Sequence, residues 1–233
     1  MINFVYHGHA CFSIGDGTSD LIIDPFLNDN PLADIRENEV RATHILVTHG
    51  HSDHLGDALA IAKRTKAIII APNELAYYCQ SQGARVAPMH IGGARQFSFG
   101  RLKMMPAWHS SAVINGTNII YTGVPCGFII EIQGKTIYHA GDTGLFGDMQ
   151  LIGDRHQLDY ALLPIGDNFV MGPEDALEAA VMLQAKVTIP MHYDTFPIIA
   201  QNPYLYVEKL REKGLKGMVV KPGELISDVQ IKA

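Results

Sequence analysis

The 233-residue sequence predicts an α/β fold of four layers, αββα, in which two facing mixed sheets carry helices on their outer faces. Three observations predict it. Short β-branched runs such as Ile45-Leu46-Val47 and Ala67 to Ala71 read as buried strands. Stretches of helical period, Glu174 to Ala185 above all, alternate with those runs. Both halves also contain strands closed by tight glycine turns, so neither is purely parallel or purely antiparallel.

In order along the chain, Phe4 to Ile14, interrupted by His7-Gly8-His9, and Leu21 to Ile23 read as strands separated by the turn Gly15-Asp16-Gly17. A polar stretch from Asn28 to Arg41 precedes the strand His44 to Thr48, and Asp53 to Lys63 has helical spacing, with Leu55, Leu59 and Ala62 on one side. The run Ala67 to Ala71 stops at Pro72, and the helix Asn73 to Gln82 ends at Gly83. Hairpin-like strands then fill Phe97 to Trp108, Val124 to Ile132 and Thr136 to His139, the last two around Gln133-Gly134-Lys135. Leu158 to Ile165 is a strand, Pro173 opens the helix Glu174 to Ala185, and Lys186 to His192 is the strand after it. The helix Pro203 to Lys213 and the strands Lys216 to Lys221 and Leu225 to Val229 complete the order. With no composition break or low-complexity linker, residues 1–233 are expected to form one domain.

Composition narrows the classes of function. Apolar residues make up 47% and charged residues 18%, a globular balance. A formal charge of −6 without a dense Lys/Arg block argues against nucleic acid and anionic membranes as partners; the partner expected is a small-molecule substrate. No apolar run is long enough for membrane insertion, and the N-terminus lacks the basic start of a signal peptide. Cys11, Cys79 and Cys126 show no CxxC spacing and read as buried thiols in a reducing compartment, so a cytoplasmic location is expected. The sequence is compatible with a homo-oligomer as well as with a monomer.

The densest chemistry is Thr48-His49-Gly50-His51-Ser52-Asp53-His54, which sets three imidazoles and a carboxylate directly after a buried strand. His49 and His51, two apart at the end of an extended segment, can point to one side. Asp53 and His54 begin the next helix and are directed to a neighbouring position, so two cations are geometrically reasonable. Zn²⁺ is the first candidate for such a nitrogen and oxygen donor set, and Mn, Fe or Ni also fit. Three later residues repeat one placement just beyond an apolar strand: His109, Asp142 within Gly141-Asp142-Thr143-Gly144, and His192.

This order resembles the metallo-β-lactamase superfamily, with spacings of 55 residues from His54 to His109, 33 from His109 to Asp142 and 50 from Asp142 to His192. The words Tyr6-His7-Gly8-His9-Ala10, Ile23-Asp24-Pro25, Pro164-Ile165-Gly166-Asp167-Asn168 and Met171-Gly172-Pro173-Glu174-Asp175-Ala176 are similar to a bacterial and archaeal branch of metal-dependent hydrolases. That branch is related to ascorbate-phosphate lactonases and to the phospholipase D acting on N-acyl phosphatidylethanolamine. The resemblance implies one divalent ion on His49, His51 and His109, a second on Asp53, His54 and His192, and Asp142 bridging them. Asp24 is implied to orient the ligands by hydrogen bonding. His9 is implied to be a pocket or proton-transfer residue, so Asp53, His9 and Asp142 are the candidate catalytic groups.

His51 stands where flavo-diiron oxygen reductases carry glutamate, and Leu55-Gly56-Asp57 lacks the His-x-Gly-Gly continuation of glyoxalase II, which disfavours both activities. The expected reaction is therefore hydrolysis by a metal-bridging hydroxide, on a phosphodiester or a lactone-like ester of a small metabolite. The competing expectation is a non-catalytic, metal-dependent sensor of a phosphorylated metabolite. Trp108 is expected in the core and His139 within its strand. Asn28 to Arg41 and Ser110 to Tyr121 are candidate pocket or lid loops, and Asn168 either lines the pocket or forms an Asx-turn.

Overall fold

A computed structural model describes residues 2–226. Strands β1 (Asn3–Tyr6), β2 (Phe12–Gly15), β3 (Asp20–Ile23) and β4 (His44–Leu46) lead to helices α1 (Ser52–Leu55) and α2 (Ala58–Thr65). Strand β5 (Ile68–Pro72), helix α3 (Asn73–Ser81) and strand β6 (Arg85–Met89) follow. The chain then forms β7 (Ala94–Phe97), β8 (Gly100–Pro106), β9 (Ala112–Asn115), β10 (Asn118–Tyr121), β11 (Cys126–Ile132) and β12 (Lys135–His139). Helix α4 (Met149–Arg155), strand β13 (Tyr160–Pro164), helix α5 (Pro173–Leu183), strand β14 (Val187–Met191), helix α6 (Pro203–Glu212) and strand β15 (Leu225–Ile226) complete it.

Two mixed sheets result, ordered β15-β1-β2-β3-β4-β5-β6 and β14-β13-β12-β11-β8-β7, while β9 and β10 pair as a separate hairpin. Alternation along the strands sorts the apolar side chains into three layers. Ile70, Phe128 and Ile130 meet between the sheets, together with Phe4, Phe12 and Leu162. Their neighbours Ile69 and Ala71 turn outward to Ile61, Leu75 and Cys79 of α2 and α3. Ile129 of the second sheet turns outward to the side of α4, α5 and α6. The αββα layering expected from sequence is the observed one.

Several local expectations are corrected. The helix expected over Asp53 to Lys63 is two, broken at Gly56 with φ +40, where a Cβ would lie 2.5 Å from Pro25 O. β6 escapes a sequence reading because Pro88 demotes it, yet as the last strand of its sheet it tolerates the missing N–H. α4 is disguised by Gly153, whose Cβ would lie 2.3 Å from Met182 O of α5, so glycine permits the close approach of these helices. The expected strand Lys216 to Lys221 reduces to one bridge, Gly217 to Thr188. Pro190, two residues along that edge of β14, has no N–H to continue the ladder. Of the strand expected over Leu225 to Val229, residues 227–229 lie outside the described residues. Ser110 to Tyr121 is largely the β9–β10 hairpin rather than a loop, but Ser110, Ala112 and Ile114 do line a pocket. Trp108 is not core but 72% exposed, because its backbone is tied to the Gly-Asp-Thr turn through Thr143 Oγ1 and Gly144 N while its side chain points away.

His139 joins the two halves of the molecule. Its Nε2 lies 2.9 Å from Ala10 O, to which it donates, and its Nδ1 accepts from Gly141 N at 3.2 Å, so both contacts need the neutral ring. Burial holds its pKa below the ordinary value. Because the folded value is the lower one, this stabilisation is complete above about pH 6.5 and declines as pH falls toward the folded value. The stability difference between the protein and a His139→Gln variant is therefore expected to shrink between pH 7.5 and pH 5.5 in urea melts. A constant difference would show that His139 is not held neutral.

Candidate metal centre

The site lies where both sheets end. β4 feeds Thr48 to His54 from one side, and the segments after β8, β12 and β14 bring His109, Asp142 and His192 from the other. Gly50 allows the turn to pass under the hairpin, since a Cβ there would lie 2.4 Å from Thr122 Oγ1 and 3.2 Å from Ala112 O. The Gly50 N–H donates to Ser111 Oγ at 3.0 Å, which in turn lies 2.7 Å from Thr122 Oγ1. These hydroxyls hold the hairpin against the histidine turn, and no sequence spacing announced them.

All seven candidate ligands converge. His49, His51 and His109 form one set of donor atoms lying within 4.8 Å of one another, and His9, Asp53, His54 and His192 form another. Asp142 lies between them. Its Oδ1 is 3.1 Å from His54 Nε2, and its Oδ2 is 3.1 Å from His192 Nε2, 3.7 Å from His109 Nε2 and 3.9 Å from His49 Nε2. His54 Nε2, His192 Nε2 and Asp142 Oδ1 are buried and have no hydrogen-bond partner. Buried polar atoms of a protein are nearly always paired, so unpaired imidazole nitrogens facing a carboxylate fit a cation between them.

Electrostatics favours the same occupant. Burial alone would lower the His54 pKa, yet Asp142, Asp24 and Asp53 together push it well above the ordinary histidine value. Three carboxylates around one ring make positive charge at this point favourable. Burial chiefly lowers His49, His51 and His109, which favours the neutral rings that metals require. Burial opposes ionisation of Asp53, but His54 and His9 outweigh it and hold its carboxyl below the usual range.

The surrounding shell fixes ring orientation. Asp24, fully buried, accepts from His54 Nδ1 at 2.8 Å, from Thr48 N at 2.8 Å and from Thr48 Oγ1 at 2.7 Å. Thr48 Oγ1 also lies 2.9 Å from His49 Nδ1. Asp24 (φ +44), His9 (φ +57) and His192 (φ +54) all have left-handed backbones, a concentration of strain typical of functional sites.

His9 is placed differently from the expectation of a pocket residue. Its ring is buried behind Asp53, with Nε2 3.1 Å from Asp53 Oδ2 and Nδ1 2.8 Å from Thr195 Oγ1, and burial, then His192, lowers its pKa to about 4. It reaches the cavity through Asp53. His7 joins no metal-type cluster among the described residues. Its Nδ1 lies 2.7 Å from Asp34 Oδ1 and its Nε2 2.8 Å from Ser13 Oγ, a Ser-His-Asp line that spacing did not reveal. Ser13 sits within the β1–β2–β3 ladder, paired with Val5 and Ile22 on either side. The line therefore anchors the His7–His9 turn to the 28–41 loop rather than presenting a nucleophile beside free amides. Asn168 is exposed, with its N–H on Asp167 Oδ1, and does not line the cavity.

A cavity of about 810 Å³ opens onto His51, Asp53, His109, Asp142 and His192. Its outer wall is apolar: Phe26, Ile114, Phe169 and the pair Phe196 and Ile198 come from four separate segments. Cys11, Cys79 and Cys126 are buried free thiols, and among the described residues no helix is long and apolar enough to cross a membrane.

A family model described as a β-lactamase superfamily domain matches residues 19–193. A UPF0173 metal-dependent hydrolase of Bacillus velezensis is 53% identical over 223 residues, covering 95% of this chain and 97% of the relative. The structure of Igni18, a metallo hydrolase from the archaeon Ignicoccus hospitalis, superposes with a TM-score of 0.87 at 35% identity over 97% of each chain. An isothiocyanate hydrolase from Delia radicum gut bacteria superposes with a TM-score of 0.75 at 20% identity, covering 97% of this chain and 98% of that one, a likeness of fold alone.

Proposed function

The chain belongs to the β-lactamase superfamily and is a metal-dependent hydrolase; from that premise we propose that it holds two divalent cations, Zn²⁺ first among Zn, Mn, Fe and Ni, and cleaves a phosphodiester or lactone-like ester of a small metabolite, acting as one domain over residues 1–233. The observation that carries this reading is the pair of donor sets on either side of Asp142, with buried nitrogens unpartnered between them. His49, His51 and His109 would hold one cation, Asp53, His54 and His192 the other, and Asp142 would touch both. Cations bound there supply Lewis acidity and a source of hydroxide at neutral pH.

The chain's own contribution is orientation and proton handling. The Asp24 carboxylate draws the His54 proton onto Nδ1, which leaves the Nε2 lone pair facing Asp142. Asp53 lines the cavity as a carboxylate, since its neighbours hold it ionised, and its Oδ2 can take up a proton and return it to the leaving group. His9, behind Asp53 and braced by Thr195, is a positioning residue for that carboxylate.

A screen of phosphodiesters, lactones and thioesters tests this reading. The chelated protein is expected to be inactive and to recover on addition of Zn²⁺, Mn²⁺, Fe²⁺ or Ni²⁺, with two equivalents bound at full activity. Turnover that depends on His51 and Asp142 separates the hydrolase from the metal-dependent sensor reading. Full turnover by metal-free protein would sink it.

A further inference from the structure

The walls of the cavity restrict what is attached to the scissile bond. Among the described residues neither Lys nor Arg lines it, and beyond the metal-type cluster its one charged side chain there is Asp29. A further anionic group on the substrate would face carboxylates without a compensating side chain. Facing the cluster instead are the five apolar side chains of the outer wall.

The apolar surface does not end at the cavity mouth. Ala112 and Ile114, two apart on β9, line the cavity and share one face of the hairpin. In the β9–β10 register Ile114 pairs with Ile119 and Ala112 with Tyr121, and directly opposed residues of an antiparallel pair project to the same face. That face therefore runs from the cavity across Ile114, 58% exposed, to Ile119, 68% exposed, and Tyr121, 71% exposed. The opposite face, Val113 and Ile120, packs on the core beneath. A contiguous apolar strip on a surface hairpin marks a binding surface, and this one begins at the candidate cations.

We propose that the substrate is a neutral, water-soluble ester or lactone of a medium- or long-chain fatty acid, its carbonyl at the Asp53–Asp142 cluster and its acyl chain leaving over Ile114 to lie along Ile119 and Tyr121. This rests on the hydrolase reading and narrows it to acyl chemistry. Water oxygen bonds to the acyl carbon, the ester C–O bond breaks with its electron pair going to the alkoxy oxygen, and that oxygen takes a proton. The products are a fatty acid and an alcohol, or a hydroxy acid from a lactone.

The test uses the metal-loaded full chain and p-nitrophenyl acetate, butyrate, octanoate and decanoate below their micellar concentrations. The kcat/KM is expected to rise roughly tenfold or more from butyrate to octanoate, mainly through KM, as methylenes leave water. Ile119→Ser is expected to lower the octanoate-to-butyrate ratio, and Leu151→Ser, an exposed position on α4, to leave it unchanged. A ratio near one overturns the acyl proposal while leaving the hydrolase reading intact, as does turnover of bis-p-nitrophenyl phosphate with none of the esters. If no compound is turned over, the phosphodiester-or-ester reading itself fails, and calorimetry of decanoate against butyrate decides the strip: equal affinities overturn it. A dimer, or attachment to phosphatidylcholine vesicles, that Ile119→Ser abolishes without changing the ratio would assign the strip to a second copy or a lipid surface and also overturn it.

Discussion

Asp142→Ala is expected to strip the protein of most of its bound metal and to lower kcat/KM by more than about a hundredfold, beyond the 10–100-fold usual for losing an outer-shell partner. The reason is position: four imidazoles from three different segments face this one carboxylate, at 3.1 to 3.9 Å. Asp53, the other candidate carboxylate, pairs only with His9, His54 and His192 of one donor set. Asp142 follows β12 through Gly141, φ +64, where a Cβ would lie 2.6 Å from Cys126 O, so the carboxylate is delivered by a turn that has no room to shift. The variant is expected to keep its secondary structure, because the layers that build the fold pack away from this point. Metal content by elemental analysis, turnover and far-UV circular dichroism on the same preparation check it. A second variant, Asp142→Asn, keeps the shape and removes the charge; two full equivalents of metal in it would refute the idea that Asp142 is shared.

What the sequence revealed and what it hid divide along a physical line. Thr48 to His54 is legible because its chemistry is local: three histidines and an aspartate within seven residues have no cheaper explanation as loop or cap. His109, Asp142 and His192 are legible because each follows a strand whose apolar pattern is itself readable, and the structure brings them to the same place. Contacts between segments were not legible. The Ser13–His7–Asp34 line and the Ser111–Thr122 brace depend on distances across the fold that no period encodes. The apolar wall is the clearest case, since Phe26, Phe169 and Phe196 are single residues in three loops and become a surface only when the sheets close. Strand and helix errors have a similar source. Pro88 and Gly153 look like breakers in isolation, and each is tolerated for a reason that belongs to its neighbours, an open sheet edge and a close helix contact.

Asp24→Asn is expected to weaken metal affinity about 10- to 100-fold with little change in fold, and it separates a structural aspartate from one that orients a ligand. Asp24 accepts three hydrogen bonds, from His54 Nδ1, Thr48 N and Thr48 Oγ1. An asparagine there has one oxygen for those donors and must aim its NH₂ at a group that now donates. If the NH₂ faces His54, Nδ1 becomes the acceptor and the ring proton moves to Nε2, the atom that faces Asp142. A protonated Nε2 cannot ligate, so the ligand is lost through its tautomer while its position is kept. The backbone is indifferent to the exchange, because φ at residue 24 is +44 and asparagine adopts the left-handed region as readily as aspartate. Asp24→Ala differs in kind: it leaves buried donors unpaired at about 1–3 kcal/mol each and is expected to lower Tm as well. Competition with a chelating dye measures the affinity of both variants, and thermal melts of the metal-free proteins measure the fold. Wild-type affinity in Asp24→Asn would reduce Asp24 to a turn residue before Pro25; a large loss of stability in the metal-free Asp24→Asn protein would make its role structural and independent of the metal.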